Sequence, residues 1–153
     1  VFRRFYGARA RTACRARAGV VMKYLLDTNI CIYLIKEKPP EVLVRFTALK
    51  PAQVFISAVT VFELYYGVEN SQAHKRNLAA LEKFLRPMTI LDFTPEDAKQ
   101  AARIRADLKR KGTPIGAYDL QIAATALANG LTVVTNNTVE FQRVVGLRLE
   151  NWV

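Results

Sequence analysis

Apolar residues in this chain come in short blocks whose spacing switches between strand-like and helix-like. Residues 22–27 end in "YLLD" and read as a short strand buried on both faces, because the block is apolar without alternation. Thr28 is placed to cap a helix running to about Lys36, and Pro39-Pro40 ends that helix and opens another to about Leu49. Residues 54–57 read as a second strand, followed by a helix over 59–68. In residues 72–85 the side chains of Leu78, Leu81, Phe84 and Leu85 fall on one helical face. Residues 89–93 form a third predicted strand. Thr94-Pro95-Glu96-Asp97 then supplies an N-cap, a proline and an N3 acid for a long helix to about Lys111. The loop "KGTPIGAY" leads to a helix over 119–129 stopped by Gly130. Residues 131–135 and 147–150 read as strands four and five, with a helical turn over 138–143 between them.

Strands separated by helices require parallel crossovers, so the pattern predicts an α/β sheet covered on both faces. At 153 residues the chain is expected to form one domain with a substantial core. No apolar block approaches the length of a membrane span. Cys14 and Cys31 form no CxxC pair, which fits a reducing cytoplasm, and the single histidine, His74, has no metal-ligand cluster around it.

The net charge is +10, but six arginines of residues 1–21 carry much of it, and that stretch holds no acid. The remainder, residues 22–153, is only mildly basic. Residues 1–21 are expected to be disordered and outside the fold, with Met22 as the initiator. A basic arm adding RNA affinity and an arginine-rich targeting segment are the other readings of that stretch.

Chemistry concentrates where ligands gather in open α/β sheets, at the carboxyl ends of the strands. Asp27 ends the first strand, and Glu63 interrupts an apolar helix after the second. Asp119 opens the helix before "LQIAATALA". Asn136 and Asn137 follow the fourth strand, with Glu140 three residues on. Singly these are ordinary: Asp27 and Asp119 as helix-start acids, Glu63 as a surface residue, Asn136-Asn137 as a turn and Glu140 as a solvated turn residue. Together they place several carboxylates at one sheet edge, where mutual repulsion is best relieved by a hard divalent cation.

At these residues the chain resembles the PIN-domain ribonucleases, and within them the VapC toxins of toxin–antitoxin pairs. The matching stretches are "YLLDTNICIYLIK", "ISAVTVFELYYGVENS", "IRADLKRKGTPIGAYDLQIAATALANGL" and "VVTNNTVEFQRVVGLRLENWV", in family order across residues 22–153. The resemblance implies a three-layer PIN-domain sandwich with a central parallel sheet of order 3-2-1-4-5. It also implies a Mg²⁺- or Mn²⁺-dependent endoribonuclease acting on tRNA or ribosomal RNA, and a VapB-type antitoxin partner. Carried over, Asp27, Glu63 and Asp119 are the first three family acids, with Asp27 and Asp119 the metal ligands. Thr28 and Asn29 are supporting residues. Many relatives have an aspartate after the fourth strand, where this chain has Asn136 and Asn137, so Glu140 is the candidate fourth catalytic acid. The family loop has a proline where this chain has Ala117, from which a local adjustment is expected. The apolar surplus around residues 30–34 and the aromatic face of Phe62, Tyr65 and Tyr66 predict a homodimer whose remaining groove takes an antitoxin helix. An arginine of that antitoxin is expected to lie against Asp27, Glu63 and Asp119. The rival readings are a catalytically weak RNA-binding module and a DNA nuclease of related fold.

Overall fold

The computed structural model describes residues 21–153. The expectation that residues 1–21 are disordered and outside the fold therefore falls, except for Val21, outside the described residues. Five strands, β1 (Tyr24–Leu26), β2 (Val54–Ser57), β3 (Thr89–Leu91), β4 (Thr132–Val134) and β5 (Arg148–Glu150), form one sheet. All four pairings are parallel, in the order β3-β2-β1-β4-β5. The connections are α1 (Thr28–Lys36), α2 (Pro40–Thr47), α3 (Ala58–Glu69), α4 (His74–Leu85), α5 (Pro95–Lys111), α6 (Ala117–Ala128) and the short α7 (Thr138–Phe141). Among the described residues no helix is long and apolar enough to cross a membrane.

The two central strands divide their side chains between two cores, as the twofold period of a strand dictates. Leu26 and Val134 face one core with Ile30, Leu34, Phe46, Ile56 and Phe84. Leu25 and Val133 face the other with Ile104, Leu108, Ile122 and Phe141. Thus α1, α2 and α4 cover one side of the sheet, and α5, α6 and α7 the other. Helix α3 bridges the layers, contributing Leu64 and Val68 to the first core and Val59 to the second.

The helix boundaries correct the sequence reading at two points that matter for chemistry. Thr28 is not the cap of α1. Asp27 is, with its own carboxylate accepting from the Thr28 backbone N–H. Helix α6 starts at Ala117 and not at Asp119, which places Asp119 in the first turn. Ala117 stands at the first helical position, where a missing N–H costs nothing, so alanine and proline both suit this helix start. The stop at Gly130 is present as expected, and Gly112 ends α5 in the same way. Gly112 and Gly130 follow α5 and α6 with φ of 68° and 63°, left-handed values that a side chain would strain. The capping box of α5 is also present, with Thr94 and Asp97 bonding each other's backbone N–H groups.

Candidate active site

The central pair of strands delivers the site. Leu26 registers with Val134, so the next residues, Asp27 and Thr135, emerge side by side at the carboxyl edge. Asp27 is 4% exposed, and its two carboxylate oxygens are both engaged. Oδ1 accepts from the Thr28 N–H at 2.7 Å, and Oδ2 accepts from the Thr135 hydroxyl at 2.8 Å. Burial raises its pKa, the two hydrogen bonds oppose that rise, and the Glu63 charge adds to it. Glu63 reaches the same spot from α3 by accepting from the Thr28 hydroxyl.

Asp119 comes from the first turn of α6 and is partly buried. The Asn137 side-chain amide donates to its Oδ2 at 2.9 Å, and the backbone N–H of Asn137 donates to the Thr135 hydroxyl at 2.9 Å. Thr135 therefore links Asp27 to the residue that holds Asp119. The pKa of Asp119 is pushed up from 3.8 to about 7, first by burial, then by the charge of Asp27 and by Glu140. The Asn137 hydrogen bond works in the opposite direction. Glu140 accepts from the Gly116 N–H at 3.0 Å, at the very start of α6.

The remaining predicted residues lie at the rim. Asn136 accepts from the Asn29 amide at 3.4 Å and donates to the Tyr33 hydroxyl at 2.9 Å. Asn29 and Asn136 are exposed and brace α1 against the β4–α7 turn without touching an acid. The structure thus brings Asp27, Glu63, Asp119 and Glu140 to one edge, with Thr28 and Asn137 in direct contact with members of that set. Sequence reasoning missed Thr135. A threonine ending a strand reads as a β-former, and only the register of β1 with β4 could have exposed its role.

Electrostatically the edge is overcharged. Among the described residues, no lysine, arginine or histidine forms an ion pair with any of the four acids; the ion pairs present lie elsewhere, His74 with Glu69 among them. No three of the His, Cys, Asp or Glu side chains described form a ready-made metal cage. The donor set nevertheless suits a small hard cation, which takes one or two carboxylates and keeps several waters. Asp27 and Asp119 are the carboxylates that would hold it, and the raised pKa of Asp119 marks a charge that a cation would relieve.

Comparison with known proteins agrees with this layout. The PIN domain family matches residues 24–147. Ribonuclease VapC2 of Haemophilus influenzae is 48% identical over 133 residues, covering 87% of this chain and 100% of the relative. The tRNA(fMet)-specific endonuclease VapC of Salmonella typhimurium is 47% identical over 132 residues, covering 86% of this chain and 99% of the relative. A DNA-bound VapBC structure from Salmonella typhimurium superposes with a TM-score of 0.81 at 46% identity, covering 86% of this chain and 99% of that one. With its strand order, its acids at the carboxyl edge and these relatives, the chain belongs to the PIN-domain family, among proteins named VapC ribonucleases.

Proposed function

We propose that this chain is the toxin of a toxin–antitoxin pair, a Mg²⁺- or Mn²⁺-dependent endoribonuclease working in the cytoplasm. The observation that carries the reading is the gathering of Asp27, Glu63, Asp119 and Glu140 at one edge, with no lysine, arginine or histidine among the described residues paired to them; burial and the Asp27 charge raise the pKa of Asp119 accordingly. Such crowding suits a cation and is costly in a pure RNA binder, which gains nothing from acids that repel phosphate. Asp27 and Asp119 would hold the divalent cation, which would supply Lewis-acid activation for phosphodiester hydrolysis. The chain's own part is positional. Thr135 and the Thr28 N–H orient Asp27, Asn137 orients Asp119, and Glu63 and Glu140 complete the anionic rim. The only histidine is engaged with Glu69 at 3.1 Å, so no imidazole base serves a 2′-hydroxyl mechanism at this edge.

The naming of a relative as tRNA(fMet)-specific favours tRNA as the substrate over ribosomal RNA. An antitoxin helix has a natural seat in a groove of about 280 Å³ walled by Ile32, Ile35, Leu64, Val68 and Leu81. Glu63 lies at its edge, so an arginine leaving that helix would meet the acids and compete with the cation. Phe62, Tyr65 and Tyr66 are 48%, 37% and 62% exposed, and Tyr118 packs edge-on against Phe62 at 5.4 Å. This aromatic patch supports the homodimer. Residues 1–21 are assigned no part in the chemistry. A chain starting at Met22 should fold and cut RNA, with weaker RNA affinity only at low salt, as titration of both chains with RNA will read.

That no three acids among the described residues form a closed cage favours one second reading, a catalytically weak RNA-binding module. Incubating the purified protein with tRNA(fMet) in Mg²⁺ and in EDTA separates the two. The nuclease reading expects cleavage in Mg²⁺, none in EDTA, and none from Asp119→Asn. Binding without cleavage under both conditions contradicts it.

A further inference from the structure

An acid-lined centre repels the polyanion it must cut, so the substrate needs a cationic foothold close by. Helices α5 and α6 and the loop between them enclose a cleft of about 490 Å³ that offers one. Arg105 and Lys109, four residues apart on α5, supply its basic wall, while Pro114, Ile115, Ala117 and Leu120 supply an apolar one. Among the described residues, three of the other four cations of α5 are in ion pairs, Arg103 being the exception. Lys99 pairs with Glu96, and Arg110 and Lys111 both pair with Asp107. Arg105 and Lys109 are exposed, and among the described residues neither is in an ion pair.

The cleft and the acid edge share the start of α6. Ala117 and Leu120 line the cleft, and Asp119 leaves the same first turn on another face of the helix. Gly116, immediately before, gives its N–H to Glu140 at 3.0 Å. The loop wall is held in place by Arg143, whose guanidinium donates to the Pro114 carbonyl at 2.8 Å. A nucleotide joins a phosphate to a flat, largely apolar base, and this cleft presents a partner to each half.

We propose that the α5–α6 cleft is an RNA subsite, binding a nucleotide that flanks the scissile bond. Its phosphate lies on Arg105 and Lys109, and its base lies against Pro114, Ile115 and Leu120. The inference rests on the ribonuclease reading above and adds where the strand runs as it leaves the acids.

The test compares the full chain with Arg105→Gln/Lys109→Gln in steady-state cleavage of tRNA(fMet) with Mg²⁺, from about 50 to about 200 mM salt. Both side chains are exposed, so the variant keeps its fold. KM should rise about tenfold with kcat within about twofold, the pattern of lost uniform binding. The slope of log KM against log salt should fall by about 0.7, the value for the one phosphate that the two cations share on a single strand. Arg105→Lys/Lys109→Arg should restore most of both. If the original chain cuts and the glutamine variant shows the same KM and slope, the subsite is wrong while the nuclease reading stands. If the variant instead changes oligomeric state by sedimentation, the cleft is a protein interface and the proposal falls. If the original chain does not cut, the nuclease reading fails and takes the subsite with it.

Discussion

Asp27 and Asp97 are both buried aspartates at helix starts, 4% and 1% exposed, yet they belong to different kinds of region. Asp97 accepts from the Thr94 N–H at 3.2 Å and from the Thr125 hydroxyl at 3.1 Å, closing the start of α5 and tying it to α6. Asp27 has equivalent donors in Thr28 and Thr135, at 2.7 and 2.8 Å. What distinguishes it is its company. The Glu63 charge acts on Asp27, and the Asp27 charge in turn acts on Asp119. A buried acid with hydrogen-bond donors is structural by default. It becomes a candidate for chemistry when further acids crowd it and no cation answers them.

The largest expected effect separates the two aspartates by activity. Asp27→Asn should abolish Mg²⁺-dependent cleavage while leaving the metal-free protein as stable as before or raising its thermal midpoint by about 2–4 °C, because one of the repelling charges is gone. Asp97→Ala should do the reverse. It should cost about 2 kcal/mol of stability, from the lost cap and a stranded Thr125 hydroxyl, and leave cleavage in place at temperatures where the protein is folded. Denaturant melts and cleavage assays on both variants decide the matter, and equal behaviour would erase the distinction.

Thr135 lies on the Asp27 side of the comparison. Thr135→Val keeps the shape of the β4 terminus and removes the hydroxyl that holds Asp27 Oδ2 and receives the Asn137 N–H. Mg²⁺ affinity should weaken by about 10- to 100-fold, the usual result of removing a partner that orients a ligand. A calorimetric titration reads it directly.

The smallest effect is in pH dependence, and again it belongs to one region. Asp119 titrates at 3.8 when ordinary and at about 7 in the fold, so between those values the native protein binds more protons than the unfolded chain. Stability of the metal-free protein should therefore fall as pH rises through that window and level off above it, with the raised pKa of Asp27 acting in the same direction. Cation affinity should rise over the same window, because binding must expel the proton. Thermal midpoints in EDTA measured from pH 4 to pH 8 should show the slope in the parent and in Asp97→Ala, and a flatter one in Asp119→Asn.

How legible each region was depended on whether its signal was local. The five strands, the α5 cap and the stop at Gly130 were readable because hydrophobic period, capping residues and left-handed glycines act within a few positions. Asp27, Glu63 and Asp119 stood out as acids among apolar neighbours. Their assembly at one edge followed from their places after the carboxyl ends of parallel strands. Contacts between distant segments were not legible. Thr135 meets Asp27 across 108 positions, and Thr125 meets Asp97 across 28, through hydroxyls whose residues read simply as strand and helix interior. Tyr118 joined the aromatic patch only once α6 was placed against α3. The α5 cations looked alike in "RIRADLKRK". The fold pairs Arg110 and Lys111 with Asp107, turns Arg105 and Lys109 to the cleft and leaves Arg103 outside both groups.

The central claim is that the acid edge, and no other buried carboxylate, holds the working cation. Isothermal titration of Mn²⁺ into the full chain near pH 7.5, alongside Asp27→Asn, Asp119→Asn and Asp97→Ala, tests it most directly. Binding should be lost in the first two variants and retained in the third. Undiminished binding by Asp27→Asn or Asp119→Asn would contradict it.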